Sequence, residues 1–114
     1  MANDLVFLRE HASGDVLYLK EIIVMYLRTM PEYFRELKEN FNSKNWIEVS
    51  NQAHKMKSPA KLFGDLKLES LLNEIEFEGK EIHVKEELIV NKINEISQSL
   101  SISFEELNAI LIDA

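Results

Sequence analysis

Cysteine is absent from the 114 residues, which excludes disulfides, thiolate zinc sites and cysteine nucleophiles together and is compatible with a reducing compartment. Glycine and proline are scarce, at three and two residues, while 46% of the chain is hydrophobic; that balance fits a compact helical protein and not a disordered one. Long apolar runs are missing too. No stretch reaches the length of a membrane span, and Met1-Ala2-Asn3-Asp4 lacks a basic segment followed by an apolar one, so a soluble, cytoplasmic protein without membrane partners is expected. Positive charge is in deficit: 13 Lys and Arg stand against 20 Asp and Glu, a net charge of −7, which argues against nucleic acid as the main partner. The length suffices for one domain with one core and is too short for two, so residues 1–114 are read as a single domain.

What is present is helical periodicity. The short apolar segment Leu5-Val6-Phe7-Leu8 leads to Ser13-Gly14-Asp15, a triplet that stops one short helix and caps the next. From Leu17 onward Leu19, Ile23, Tyr26, Met30, Phe34, Leu37 and Phe41 recur at threes and fours, a long amphipathic helix ending near Asn40 to Asn42 and kinked at Pro31. Ser43-Lys44-Asn45 is a connection too short for anything but an antiparallel neighbour. A third helix follows from about Trp46 to Phe63, then a tight turn at Gly64-Asp65. Leu68, Leu71, Leu72 and Ile75 mark a fourth helix that Gly79 ends. Ile89, Ile93, Ile96, Leu100, Phe104, Leu107 and Leu111 mark a last helix from about Val84 to Ile112, with four serines between Ser97 and Ser103 that favour fraying or a bend. The fold class is therefore all-α: an up-down-up-down four-helix bundle with a short extra N-terminal helix across one end.

The chemistry concentrates in the third helix. At 100° per residue Trp46, Val49, Ala53, Met56, Ala60 and Phe63 share one apolar stripe, while Ser50, His54, Lys57, Ser58 and Lys61 fall together beside it. His54 is thus on the wet face, among small hydroxyls and ammonium groups. By position alone an exposed histidine is mere surface, and a metal ligand would want carboxylates or further imidazoles nearby. Cations at i+3 and i+7 suit a ring that carries, or receives, an anion.

The run Ala53-His54-Lys55-Met56-Lys57-Ser58-Pro59-Ala60-Lys61-Leu62-Phe63-Gly64 resembles the pattern around the phosphorylated histidine of the histidine-containing phosphotransfer (HPt) domains of multistep phosphorelays, Ala-His-x-Leu/Met-Lys-Gly/Ser-x-Ala-x-x-Leu/Phe-Gly. Every specified position is met, although Pro59 stands where most members carry a good helix former. The likeness extends over nearly the whole chain, including the Gly-Asp before a long helix with an internal proline. It implies a carrier, not an autonomous kinase: Nε2 of His54 accepts a phosphoryl group from a receiver-domain aspartate and returns it to another. The implied partners are receiver domains of response regulators and of a hybrid histidine kinase. No cofactor is implied in this chain, because the receiver supplies the aspartate and a bound Mg²⁺. Lys57, to which the resemblance also points, is expected to balance the phosphoryl charge, against the alternative of a solvated lysine that shields the apolar stripe; Lys61 is expected to add field without direct contact, Lys55 to touch the rim of a docked partner, and Ser58 to keep the surface beside the ring low.

The proton on Nδ1 needs an acceptor to fix the tautomer. In a hairpin about Gly64, His54 lies ten residues before the turn and Glu74 and Glu76 ten and twelve after it. Glu76 falls on the flank of the apolar stripe and is the expected acceptor, against the alternative that it is one of several solvated acids. His11 and His83 have no partner spacing and read as surface. A monomer is expected, and a starting Met with complete helices allows an independent protein. The competing reading, of another class, is a helical adaptor that binds signalling partners without phosphotransfer; retention of His54 with Lys57 favours the relay. A metal-binding bundle lacks its paired Glu-x-x-His motifs.

Overall fold

A computed structural model describes residues 5–113; the reading of residues 1–4 lies outside them, as does the side chain of Phe7. Five helices follow in order: α1 (Leu5–His11), α2 (Val16–Asn42), α3 (Trp46–Leu62), α4 (Leu66–Glu78) and α5 (Glu86–Asp113). Among the described residues there is no strand, and no helix is long and apolar enough to cross a membrane. Each of α2 to α5 packs on two others, α2 on α3, α3 on α4, α4 on α5 and α5 back on α2, which closes a four-helix bundle. The α3–α4 pair is the most intimate of the four.

The helix starts are those that side-chain oxygens dictate. Asp15 accepts from the Tyr18 N–H at 3.0 Å, Asn45 from Glu48 at 3.4 Å and Asp65 from Leu68 at 3.1 Å, each satisfying an N–H that has no partner inside its own helix. Gly64 turns the chain between α3 and α4 with φ +66°, a left-handed conformation that strains any other residue. Inside, Leu19, Ile23, Tyr26, Met30, Phe34 and Leu37 of α2 meet Val49, Ala53, Met56, Ala60 and Phe63 from the α3 segment. Leu68, Leu71, Leu72 and Ile75 of α4 and Ile89, Ile93, Ile96, Leu100 and Leu107 of α5 complete the core. The Tyr26 ring stacks on Phe63 at 4.0 Å, with the edge of Phe104 6.1 Å away, anchoring the end of α3. With 27 and 28 residues, α2 and α5 outrun the 17 and 13 of α3 and α4. Leu8 and Ala12, from α1 and the turn after it, are buried in the core.

Three expectations need correction. The last helix begins at Glu86, not near Val84; residues 79–85 form a longer connection in which the Lys85 N–H donates to the Glu78 carboxylate at 3.0 Å and Val84 packs against the core from outside any helix. The serine-rich stretch of α5 does not fray: the helix is continuous, and Ser99 and Ser103 are buried within the bundle. Trp46 is only half-buried, its ring lying edge-on to Phe41 at 5.6 Å at the end of the stripe.

Pro59 lies inside α3, as unbroken apolar spacing through Ala60 and Phe63 requires, and α2 likewise continues through Pro31. Pro59 has no N–H for the Lys55 carbonyl, and its ring crowds that turn. Replacing Pro59 by Ala should therefore raise stability by about 1–3 kcal/mol in urea unfolding; a lower midpoint would show that the ring's packing outweighs the missing hydrogen bond.

Candidate functional site

Two helices that run antiparallel bring the site together. Each turn forward along α3 is a turn back along α4, so Ser50 stands opposite Glu76 and Gly79, His54 opposite Glu76, and Lys57 opposite Asn73 and Glu76. On α3, Ala53 and Met56 are fully buried and fix the rotation of the helix, which leaves the His54 side chain 69% exposed. Ser50 departs from the face on which its spacing puts it. It is buried, and its hydroxyl donates to the Glu76 carbonyl at 2.7 Å, so only Ser58 is an exposed hydroxyl beside the ring.

Glu76 is the hub. Its side chain, 11% exposed, places Oε2 at 2.9 Å from His54 Nδ1 and Oε1 at 2.6 Å from Lys57 Nζ, with Lys80 Nζ a further 3.5 Å from Oε2. Lys57 is held a second time by Asn73 Oδ1 at 3.2 Å. Burial pushes the Glu76 carboxyl up, and the hydrogen bonds from Lys57 and His54 more than reverse that, so it titrates below the ordinary glutamate range. An ionised carboxylate only accepts. The proton of a neutral His54 ring is therefore on Nδ1, which leaves the Nε2 lone pair free. Glu74, the other acid considered, turns away and pairs with Lys92 of α5 at 2.5 Å.

The three lysines do not rim one patch. Lys55 lies on the α2 side of α3, with its ammonium 4.4 Å from the centre of the Tyr33 ring, at the lip of an apolar groove of about 250 Å³ that includes Ile22, Met25, Pro59 and Leu62. Lys57 and Lys61 lie on the α4 side with Ser58, in a polar groove of about 490 Å³ closed by Ser70 and Asn73. The His54 helix thus separates an apolar furrow from a polar one. His11 stacks on Tyr18 at 6.2 Å, and His83 is exposed in the α4–α5 connection. Among the described residues no three His, Asp or Glu side chains converge as a metal ion needs.

Asn73, Lys80 and Gly79 are members that the sequence did not single out, and Ser50, expected on the wet face, joins the site through a buried contact instead. Asn73 and Lys80 stand three before and four after Glu76, the spacing at which side chains share a helix face, so both were legible once Glu76 was chosen. Ser50 and Gly79 carry no such signal, because their part depends on how closely two helices approach.

The lowered titration of Glu76 has a sign. A carboxyl whose folded value lies below the ordinary 4.5 contributes stability that is fully present above that pH and is lost as the pH falls through the folded value. Glu76→Gln should be less stable than the parent chain at neutral pH, and the difference should shrink in acid below about 4.5 as both side chains become neutral. Thermal melts of both chains between neutral pH and pH about 3 test this; a difference that grows in acid would contradict it.

The family model of the Hpt domain matches residues 21–109, which takes in α3 and α4 entirely and most of α2 and α5. No curated protein and no solved structure matches the chain significantly. Hpt domains are helical bundles that serve in phosphotransfer with receiver domains, and the four-helix bundle seen here agrees with that. By the extent of this match the chain belongs to the Hpt domain family.

Proposed function

We propose that this Hpt domain accepts a phosphoryl group from the aspartyl phosphate of a receiver domain onto Nε2 of His54 and passes it to the aspartate of another receiver. One observation carries the proposal: Glu76 holds His54 at Nδ1, 2.9 Å away, while the side chain remains 69% exposed, so the nucleophilic nitrogen faces the solvent. In the step, the Nε2 lone pair forms the N–P bond and the P–O bond to the aspartate breaks, releasing a carboxylate. The ring keeps its Nδ1 proton and becomes positive, and the Glu76 carboxylate answers that charge. In the return step a carboxylate oxygen of the accepting aspartate forms the new P–O bond as the N–P bond breaks, and its electron pair returns to Nε2, restoring the neutral, Nδ1-protonated ring. Any Mg²⁺ belongs to the receiver, whose carboxylates are where a hard cation binds.

Lys57 supplies the cation for the phosphoryl oxygens. It sits one turn beyond His54, half-buried, and its contacts to Glu76 and Asn73 keep it on the α4 side of the ring. Lys61 adds a second cation to the same groove, which Glu69 also lines, and Ser58 leaves room for the approaching aspartate. The apolar furrow with Lys55 at its lip is the docking surface for the receiver, its cation complementing the acidic pocket that such a domain presents.

His54→Gln keeps size and polarity and has no nucleophilic ring nitrogen. Helicity and thermal midpoint should equal those of the parent, receiver binding should persist, and no acid-labile label should be taken from a phosphorylated receiver. Label retained in this variant would move the site to His11 or His83; a parent chain that binds receivers and is never labelled would favour an adaptor. Lys57→Gln should fold and should accept the group about tenfold more slowly or worse, measured by single-turnover transfer. Transfer at the parental rate would remove Lys57 from the chemistry.

A further inference from the structure

Gly79 follows the last residue of α4, and its backbone gives no reason for glycine. Its φ of −64° and ψ of −16° are right-handed helical values that any residue adopts. The reason is space. A Cβ at Gly79 would lie 2.9 Å from the Trp46 carbonyl oxygen, 3.0 Å from the Ser50 Cβ and 3.3 Å from the Ser50 nitrogen, and the backbone atoms among these cannot step aside without moving the start of α3.

Ser50 stitches the same place from the other side. In the last turn of α4 the Gly79 N–H donates to the Ile75 carbonyl and the Lys80 N–H turns to Phe77, so the Glu76 carbonyl is left to the Ser50 hydroxyl, which donates to it at 2.7 Å. The residue whose carboxylate holds His54 is therefore itself held, through its main chain, by a side chain one turn before His54. Gly79 is one turn beyond Glu76 on α4. Contact at 50/79 and contact at 54/76 are adjacent rungs of one antiparallel ladder.

We propose that Gly79 and Ser50 are positioning residues for the His54–Glu76 pair: their close approach sets the separation and register of α3 and α4 at which the Glu76 carboxylate reaches Nδ1. Relieving a 2.9 Å contact requires the helices to part by about half an ångström, enough to stretch a 2.9 Å hydrogen bond to the weak end of its range. Neither residue touches the reacting atoms. The inference rests on the proposed role of His54, but its main readout does not involve phosphate.

The test is Gly79→Ala in the full chain, with ¹⁵N resonances of the unphosphorylated His54 ring reporting which nitrogen carries the proton. His83, exposed in the same molecule, serves as the reference. Helix propensity alone favours Ala over Gly, so a variant governed by propensity would be at least as stable and spectroscopically unchanged. The expected result is retained helicity, a His54 pattern moved from the Nδ1–H form toward that of His83, and phosphoryl uptake slowed about tenfold. Ser50→Ala keeps the Cβ, removes the hydroxyl donor, and should move the His54 pattern in the same direction; it decides the matter if Gly79→Ala does not fold. A His54 pattern identical to the parent's in Gly79→Ala, whatever its melting temperature, overturns the proposal, as does an unchanged pattern in Ser50→Ala when the glycine variant is unfolded. A shifted pattern in a protein whose parent never takes up phosphate upholds the positioning role and defeats the relay instead.

Discussion

A carboxylate nearly withdrawn from water must find positive or hydrogen-bonding partners or else give up its charge. Glu76 is in that position, and the surroundings of His54 are arranged to answer it: an imidazole N–H on one oxygen, an ammonium on the other, and Lys80 at longer range. One buried charge thereby orders two side chains that would otherwise move freely on a helix surface. His54 alone has too little contact with the core to hold a tautomer, and Lys57 alone would extend into solvent. Both acquire fixed places because the acid between them cannot be left unsatisfied.

The core beneath is what permits such an acid. Val49, Ala53, Met56 and Ala60 on α3 and Leu68, Leu72 and Ile75 on α4 are completely buried, so neither helix can rotate to carry its polar edge elsewhere. Two short helices joined by a left-handed Gly64 form a stiff hairpin, and the longer α2 and α5 form the wall behind it. Helices, not loops, carry His54, Lys57, Asn73 and Glu76, and only Lys80 reaches in from the connection after α4, an arrangement that suits geometry held to a few tenths of an ångström.

Much of this was legible in the residues. The apolar stripe of α3 found His54 on its wet edge, and the count about Gly64 found Glu76 in preference to Glu74. The caps at Asp15 and Asp65 and the continuation of α3 through Pro59 followed from local rules of side-chain spacing and hydrogen bonding. What spacing could not reveal were matters of depth and of loops. Ser50 lies on the same angular sector as His54 and is nevertheless buried, because α4 lies over it there and not over the ring. Val84 is apolar and packs on the core, yet belongs to no helix, since hydrophobicity marks burial and not backbone conformation. Lys55 stands two residues before Lys57, about 200° round the helix, and that offset carries it to the opposite flank.

That division of the flanks has an evolutionary consequence. Ile22 and Met25, which belong to α2 and line the apolar furrow, share no partner with Glu76, Asn73 or Lys80 across the spine of α3. Substitutions on well-separated groups without shared partners add in free energy and do not couple. Substitutions at Ile22 and Met25 can therefore accumulate without disturbing the pairing of His54 with Glu76, and under the proposed docking role they would change which receiver is recognised.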